Sequence, residues 1–370
     1  MTEATNRNLQ TILVTGGSGF IGSNFIRYLL NESNVKEHGF TGRCINLDAL
    51  TYAGNPENLS DITDIAGDRY QFVHGNVTNA KLLERLFAEE AIDTVVHFAA
   101  ESHVDRSIHG PQAFIETNIM GTFALLEAAR KEWISSDGTV QEGVLFHHVS
   151  TDEVYGSLGA EGYFTETTPY DPRSPYSASK ASSDHLVRAY HHTYGLPMTL
   201  TNCSNNYGPY QFPEKLIPVM ILNILENKPL PVYGNGSNIR DWLYVEDHNR
   251  AVWTVMRNGT SGESYNIGGD NAWKNIELVE TLCDIVADEL GRDRDEARSL
   301  ITFVKDRPGH DQRYAIDCSR IKQELSWEQT VDFAEGLQKT VQWYLRNMEW
   351  VDRVRSGAYQ EWVRTNYEER

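Results

Sequence analysis

The sequence predicts an α/β protein built on a doubly wound parallel sheet, and three observations carry the prediction. Short apolar segments alternate with longer helical ones through about the first 200 residues, and strands alternating with helices imply a parallel sheet covered on both faces. The segments TILVT (11–15), TVVHFAA (94–100) and VLFHHVS (144–150) are apolar throughout rather than at every second residue, as strands buried on both faces are. A glycine-rich turn, TGGSGFIGS, separates the first strand from the first helix.

Taken in order, strands are read at 11–15, 44–48, 70–77, 94–100, 144–150 and 198–204. Between them SNFIRYLLNE, AKLLERLFAEE, FIETNIMGTFALLEAARKE and SASKASSDHLVRAYHHTYG read as helices. After about residue 205 the rhythm breaks into loops rich in Asn, Gly and Pro, NNYGPYQFPEK and YGNGSNIRD, followed by isolated helices and strands. Residues 1–204 are therefore read as one lobe. Residues 205–370 are read mainly as a smaller, discontinuous α/β lobe that binds substrate, with roughly 236–262 returning to the first.

The chain has 370 residues, 40% of them apolar, enough for a sizeable core. Lys and Arg number 33 against 52 Asp and Glu, a formal charge of −19. That balance argues against nucleic acid or an anionic membrane as a partner, while a few local cations still allow an anionic small substrate. Cys44, Cys203, Cys283 and Cys318 show no CxxC spacing, which fits free thiols in a reducing cytoplasm. The segment MTEATNRNLQ lacks the apolar stretch of a signal peptide. The longest apolar stretch, LIPVMILNIL, is too short to span a bilayer and carries Pro218 and Asn223. The twelve histidines show neither HExxH nor zinc spacing, so no metal is implied.

Gly16, Gly19 and Gly22 lie between a predicted strand and a predicted helix. There glycine permits a tight turn and lets backbone N–H groups approach a pyrophosphate at the helix start, the Rossmann-type arrangement. Asp48 ends the second strand 26 residues after Gly22, a little beyond the usual ~20. A carboxylate there accepts from the adenosine ribose and repels a 2′-phosphate, which favours NAD over NADP; the competing reading is a turn or capping Asp. YSASK places Tyr176 and Lys180 at i and i+4 on one helix face. A phenol titrating near ~10 needs a nearby cation to serve as a base at neutral pH. Thr151, Asp152 and Glu153 follow the fifth strand at the edge where ligands bind in such sheets. Side by side at that edge, the two carboxylates offer an acid beside a base. A helix-start pair is the competing structural reading.

These residues resemble the extended short-chain dehydrogenase/reductase family, through TGGSGFIGS, HFAAESHVD, the Ser-Thr at the strand tip, YSASK and NNYGP. Members act on nucleotide sugars and begin with hydride exchange at a sugar carbon. Within that family VSTDEVYG is similar to the signature of the nucleotide-sugar 4,6-dehydratases. AESHVDRSI, NCSNNYGPYQFPEKLIP, GNGSNIRDWLYVEDH and DRPGHDQRYAID resemble the branch that acts on dTDP-glucose, and the likeness runs from about Thr11 to QEWVRTNY. The resemblance implies NAD as cofactor, dTDP-glucose as substrate, a 4-keto-6-deoxy product and a homodimer. It implies Thr151 and Tyr176 at the sugar C4 oxygen, Lys180 beside Tyr176 and on the nicotinamide ribose so that Tyr176 and Lys180 also border the cofactor, Asp152 as acid and Glu153 as base. Phe20, Ile21, Val77, Phe98, Ala100, Ser102, Thr117 and Asn206 join the glycines and Asp48 around the cofactor. Ser102, Asn205, Lys215, Leu216, Arg240, Asn275, Arg307 and His310 line the sugar-nucleotide site. One departure stands out: Asn76 takes the place of a usual acidic residue, and its carbonyl oxygen is expected to accept from the adenine amino group. The alternatives are another nucleotide-sugar dehydratase, a 4-epimerase, which needs no Asp–Glu pair, or an NAD-binding sensor, which needs none of the five reactive groups.

Overall fold

The computed structural model describes residues 6–306 and 310–356. Its strands are β1 (Thr11–Thr15), β2 (Arg43–Asp48), β3 (Tyr70–His74), β4 (Thr94–His97), β5 (Leu145–Thr151), β6 (Met198–Cys203), β7 (Asn205–Tyr207), β8 (Leu230–Tyr233), β9 (Ile239–Tyr244), β10 (Ser264–Ile267), β11 (Ala272–Lys274) and β12 (Ile301–Val304). Seven form one parallel sheet in the order β10-β6-β5-β4-β1-β2-β3. Every residue of β1, β4, β5 and β6 is buried, which is why the ILV of β1 and the VV of β4 are apolar at successive positions rather than at every second one. The order reverses between β1 and β4, and a crevice for ligands opens beyond the carboxyl ends of strands at such a point.

Two cores sandwich the sheet. On one face Phe25, Ile26 and Leu29 of the Phe20–Leu30 helix pack with Ala251, Val252 and Val255 of the Val245–Asn258 helix. On the other, the helices Ala80–Glu90, Thr122–Trp133 and Pro175–Tyr194 bring Leu86, Leu125 and Val187 together. A third core belongs to the smaller lobe. Its Leu216–Leu225 helix is nearly all apolar because it is buried on all sides among the helices Asn275–Leu290 and Phe333–Arg346. The buried His97 and His147 are structural: hydroxyls of Thr15 and Thr122 hold the first, those of Thr199 and Thr201 the second.

Three expectations are corrected. Of the segment 236–262 expected to return to the first lobe, the Val245–Asn258 helix packs in the large sheet's core, while β9 pairs with β7 and β11 in a separate three-stranded sheet; β10, just beyond that segment, is the strand that pairs with β6. SYNI is too short and too polar to announce itself as a core strand. Residues 205–207, expected as loop, are β7. The helix expected over 114–132 is continuous in direction but contains a π-helical turn at Ile115–Gly121, and such turns gather at functional sites.

Asp247, in the first turn of the Val245–Asn258 helix and 1% exposed, ties the smaller lobe's return loop to the first lobe. Its carboxylate accepts from the Thr330 and Val331 N–H groups at 3.0 Å each, from Thr330 Oγ1 at 2.8 Å and from Arg250 at 2.6 Å. Asp247→Ala strands these donors, and we expect a loss of about 3 kcal/mol in urea unfolding at neutral pH, the cost of breaking a buried charged network.

Candidate active site

The crevice is a cavity of about 370 Å³ at the carboxyl edge of the sheet. Its floor is the glycine turn. Gly16 sits at φ +71°, and a Cβ on Gly22 would lie 2.2 Å from the Gly16 carbonyl oxygen, so helix and strand meet only because Gly22 has no side chain. Gly19 precedes the Phe20–Leu30 helix, whose first turn carries no acidic residue. The N–H groups of Phe20, Ile21 and Gly22 therefore face the cavity at the positive end of the helix, a fit for a diphosphate. Asp48 ends β2 with Oδ2 accepting from Ser18 N at 2.9 Å and Oδ1 from Leu50 N at 2.8 Å. Each oxygen keeps a lone pair for a ribose hydroxyl. Burial pushes the Asp48 carboxyl up, and those two N–H groups pull it back.

Asn76, Val77, Phe98, Ala100, Ser102 and Thr117 line the same cavity, Thr117 from the π-helical turn. The expected role of Asn76 is corrected. Its Oδ1 already accepts from Thr78 N and Thr78 Oγ1, both at 2.9 Å, so what the side chain has left to offer is its amide N–H groups. The backbone N–H of Thr78 fixes which end of the amide is the oxygen. On the opposite wall Asn206 keeps a buried Oδ1 without a partner among the described residues, an acceptor suited to a carboxamide. Glycine cradle, Asp48 and Asn206 together fit NAD.

The reactive side chains meet because of how β5 stops. Thr151 is its last residue and caps a 3₁₀ turn, Asp152–Tyr155, by accepting from Glu153 N at 3.3 Å. Successive side chains of a 3₁₀ turn are about 120° apart rather than on opposite faces, so both carboxylates line the cavity. Gly156, at φ +91°, ends the turn against Asp171 O. Asp152 is 1% exposed, whereas Glu153 is half-buried. Burial pushes the Asp152 carboxyl well above the usual carboxylate range. Glu153 and Asp241 raise it further, against Arg240 and the Thr151 hydroxyl. The side chain thus stands ready as an acid. Tyr176 and Lys180 come from the Pro175–Tyr194 helix, which Ser174 caps and Pro175 starts. Burial, then Glu153, raise the Tyr176 phenol, while a hydrogen bond with Thr151 lowers it. Lys180 donates to Val149 O at 2.9 Å, and burial lowers its pKa.

Asn205, Lys215 and Leu216 line the cavity from the second lobe, and Lys215 Nζ donates to Ser102 O at 3.1 Å across the crevice. Arg240 stands outside the cavity lining but beside Asp152, stacked on Tyr314 with 4.2 Å to the ring centroid. Asn275 and His310 also lie outside that lining. Asn275 keeps a buried Oδ1 without a partner among the described residues, and His310 bonds Asp306 at 2.6 Å. Arg307 lies outside the described residues. Three contributors carry no local signal in the sequence. Asp241 bonds Gly269 N and Asn271 N at 2.9 and 2.6 Å. Asn118 ties the π-helical turn to Glu101 and to Ser179. Glu214, 2% exposed, pairs with Arg106 at 3.3 Å while Arg106 stacks on Tyr52. All three rest on long-range contacts.

Residues 13–340 match the model of the family described as GDP-mannose 4,6 dehydratase. The curated dTDP-glucose 4,6-dehydratase 1 of Escherichia coli K12 is 56% identical over 97% of this chain and 99% of its own. The chain belongs to the dTDP-glucose 4,6-dehydratase family. Solved dehydratases agree. DesIV, the dTDP-glucose 4,6-dehydratase of Streptomyces venezuelae, solved with NAD and TYD bound, matches at TM-score 0.83 and 46% identity, covering 93% of this chain and 100% of that one. The Bacillus anthracis enzyme, in complex with NAD, matches at 0.80 and 46%, covering 93% and 99%.

Asp152 also costs this dehydratase stability. With its folded pKa raised, the native state keeps a proton that the unfolded chain has released above about pH 4. Stability therefore falls as pH rises from there through the folded pKa. Asp152→Asn removes that penalty, and we expect a higher melting temperature at neutral pH and a flatter pH dependence in calorimetry, in a protein that no longer turns over.

Proposed function

We propose that the chain converts dTDP-glucose to dTDP-4-keto-6-deoxyglucose and water, a hydro-lyase reaction with NAD recycled. The observation that carries it is the placement of Asp152 and Glu153 beside Tyr176 on one cavity whose floor fits a dinucleotide. NAD, when bound by these residues, would supply the hydride acceptor for C4 and the hydride donor for C6, and its positive ring would favour the Tyr176 phenolate. Tyr176, with the Thr151 hydroxyl beside it, takes the proton of the C4 hydroxyl. The resulting ketone acidifies the C5 proton, which Glu153 removes. Asp152, held protonated by burial, gives its proton to the C6 oxygen, which leaves as water. Lys180 holds charge at the Tyr176 side. Phe20, Ile21, Asp48, Asn76 and Asn206 hold the cofactor; Asn205, Lys215, Arg240, Asn275, Arg307 and His310 hold the nucleotide sugar. A 4-epimerase has no use for the buried acid.

The same reading includes a homodimer in the cytoplasm. Ile108, Ile115, Met120 and Phe123 stand exposed along the helical stretch from 104 to 133, an apolar face that a second copy would cover. All four cysteines are buried and unpaired, as suits a reducing compartment. No helix of the described residues is long and apolar enough to cross a membrane.

Incubation with dTDP-glucose should yield the 4-keto-6-deoxy product without net build-up of reduced cofactor; a 4-epimer would overturn the reading. Glu153→Gln should lower turnover by about 100-fold or more, the usual scale for a lost general base, and abolish exchange of the C5 proton with deuterated water while NAD stays bound. Phe123→Glu should shift the sedimentation profile from dimer to monomer.

A further inference from the structure

Beneath the Tyr176–Lys180 pair lies a buried charged cluster for which the reaction above has no use. Tyr176, Lys180 and Asp184 fall at i, i+4 and i+8 of one helix and so share a face. Lys180 is 4% exposed, and His148 and Asp184 are fully buried. Lys180 Nζ lies 3.5 Å from His148 Nε2, and the same ring nitrogen lies 3.2 Å from Asp184 Oδ1. The other carboxylate oxygen, Oδ2, is gripped by Ser150 Oγ at 2.8 Å, by the Tyr170 hydroxyl at 2.9 Å and by Asn202 Nδ2 at 3.5 Å. Oδ1 therefore faces His148 and, beyond it, Lys180.

A lone ammonium or carboxylate in a dry interior costs several kcal/mol and is stable there only with a counter-charge. His148 does not provide one. Burial, then Lys180, push its pKa to about 4, so the ring is neutral at physiological pH. Its Nδ1 is buried without a partner among the described residues, and a proton on Nε2 donates to Asp184, which leaves that nitrogen no lone pair for Lys180. The neutral ring thus sits between anion and cation, and the two act on each other as charges across it. Other titratable groups face the cluster. Cys203 on β6 and His97 on β4 stand near Lys180, and Tyr155, Tyr170 and Arg188 stand near Asp184. Tyr176, Asp152 and Glu153 share the cavity wall with Lys180. Among these, the Asp184 carboxylate does most to hold the proton on Lys180 against burial.

We propose that Asp184 is a positioning residue for the reaction: one helical turn from Lys180 and across the His148 ring, it supplies the counter-charge that keeps Lys180 cationic, and so sets the upper pH at which the Tyr176–Lys180 pair works. The proposal rests on the dehydratase reading above. Without Asp184, Lys180 loses its proton at lower pH, and with it the charge that supports the Tyr176 phenolate.

The test is kcat and KM for dTDP-glucose from about pH 6 to about pH 10, in wild type, Asp184→Asn and Asp184→Glu. Wild-type turnover comes first, because its absence sinks the dehydratase reading and not the role of Asp184 alone. In Asp184→Asn the alkaline limb of kcat should move down by a pH unit or more, about tenfold in activity on that limb, with KM within about twofold; Asp184→Glu should restore the limb in part. A limb that stays in place, with kcat either intact or lowered evenly, overturns the proposal. Should Asp184→Asn fail to fold, His148→Phe removes the N–H that favours the charged form of Asp184 while leaving Asp184 its hydroxyl partners. The same displacement is then expected, and an unmoved limb again overturns the proposal.

Discussion

The hydroxyl of Thr151 accepts a hydrogen bond from the Glu153 N–H at the point where β5 runs out, and the chemistry of the site depends on the turn this starts. Had the strand continued, Asp152 and Glu153 would point to opposite faces of the sheet. In the 3₁₀ turn they share one cavity with different surroundings, one sealed and one half-buried. Two adjacent carboxylates in unlike environments titrate apart, and acid and base roles follow from that separation. Because the pair is coupled, each protonation state belongs to both residues.

The sealed side of this arrangement is costly. Asp152, Asp184, Asp241, Lys180 and His148 are all buried within a small volume. Each is held by a different device: Asp241 by two backbone N–H groups, Asp184 by two hydroxyls, Lys180 by a carbonyl. Asp152 keeps a buried oxygen, Oδ2, with no hydrogen bond among the described residues, and its pKa is raised to match. The energy withheld from that one group is what makes it an acid.

Much of the first lobe was legible because its signals are local. An apolar run buried on both faces, a glycine turn before a helix and a Tyr–Lys spacing of four all concern residues a few positions apart. The Ala80–Glu90 helix falls where its apolar spacing puts it. The second lobe was harder to read. β7 and β10 are three and four residues long and exist as strands only because β9 and β6 lie beside them. The π-helical turn at Ile115–Gly121 leaves no mark in a sequence that looks helical throughout, and Asn118, which braces it, bonds Glu101 and Ser179 from far along the chain. Asn76 shows the same limit at the level of one atom: the residue type permits an acceptor, but Thr78 uses it.

The sequence by itself determined the sheet, the dinucleotide turn, the Asp–Glu pair and the family, since each is encoded in short segments whose chemistry is fixed by residue type and spacing. Only the tertiary structure decided which carboxylate is sealed and which is reached, that the side-chain oxygen of Asn76 is spent on Thr78, and that Lys180 and Asp184 flank His148. Burial and counter-charge are properties of what surrounds a residue. In this chain the surroundings of the site come from segments as far apart as Gly16, His148 and Asp241.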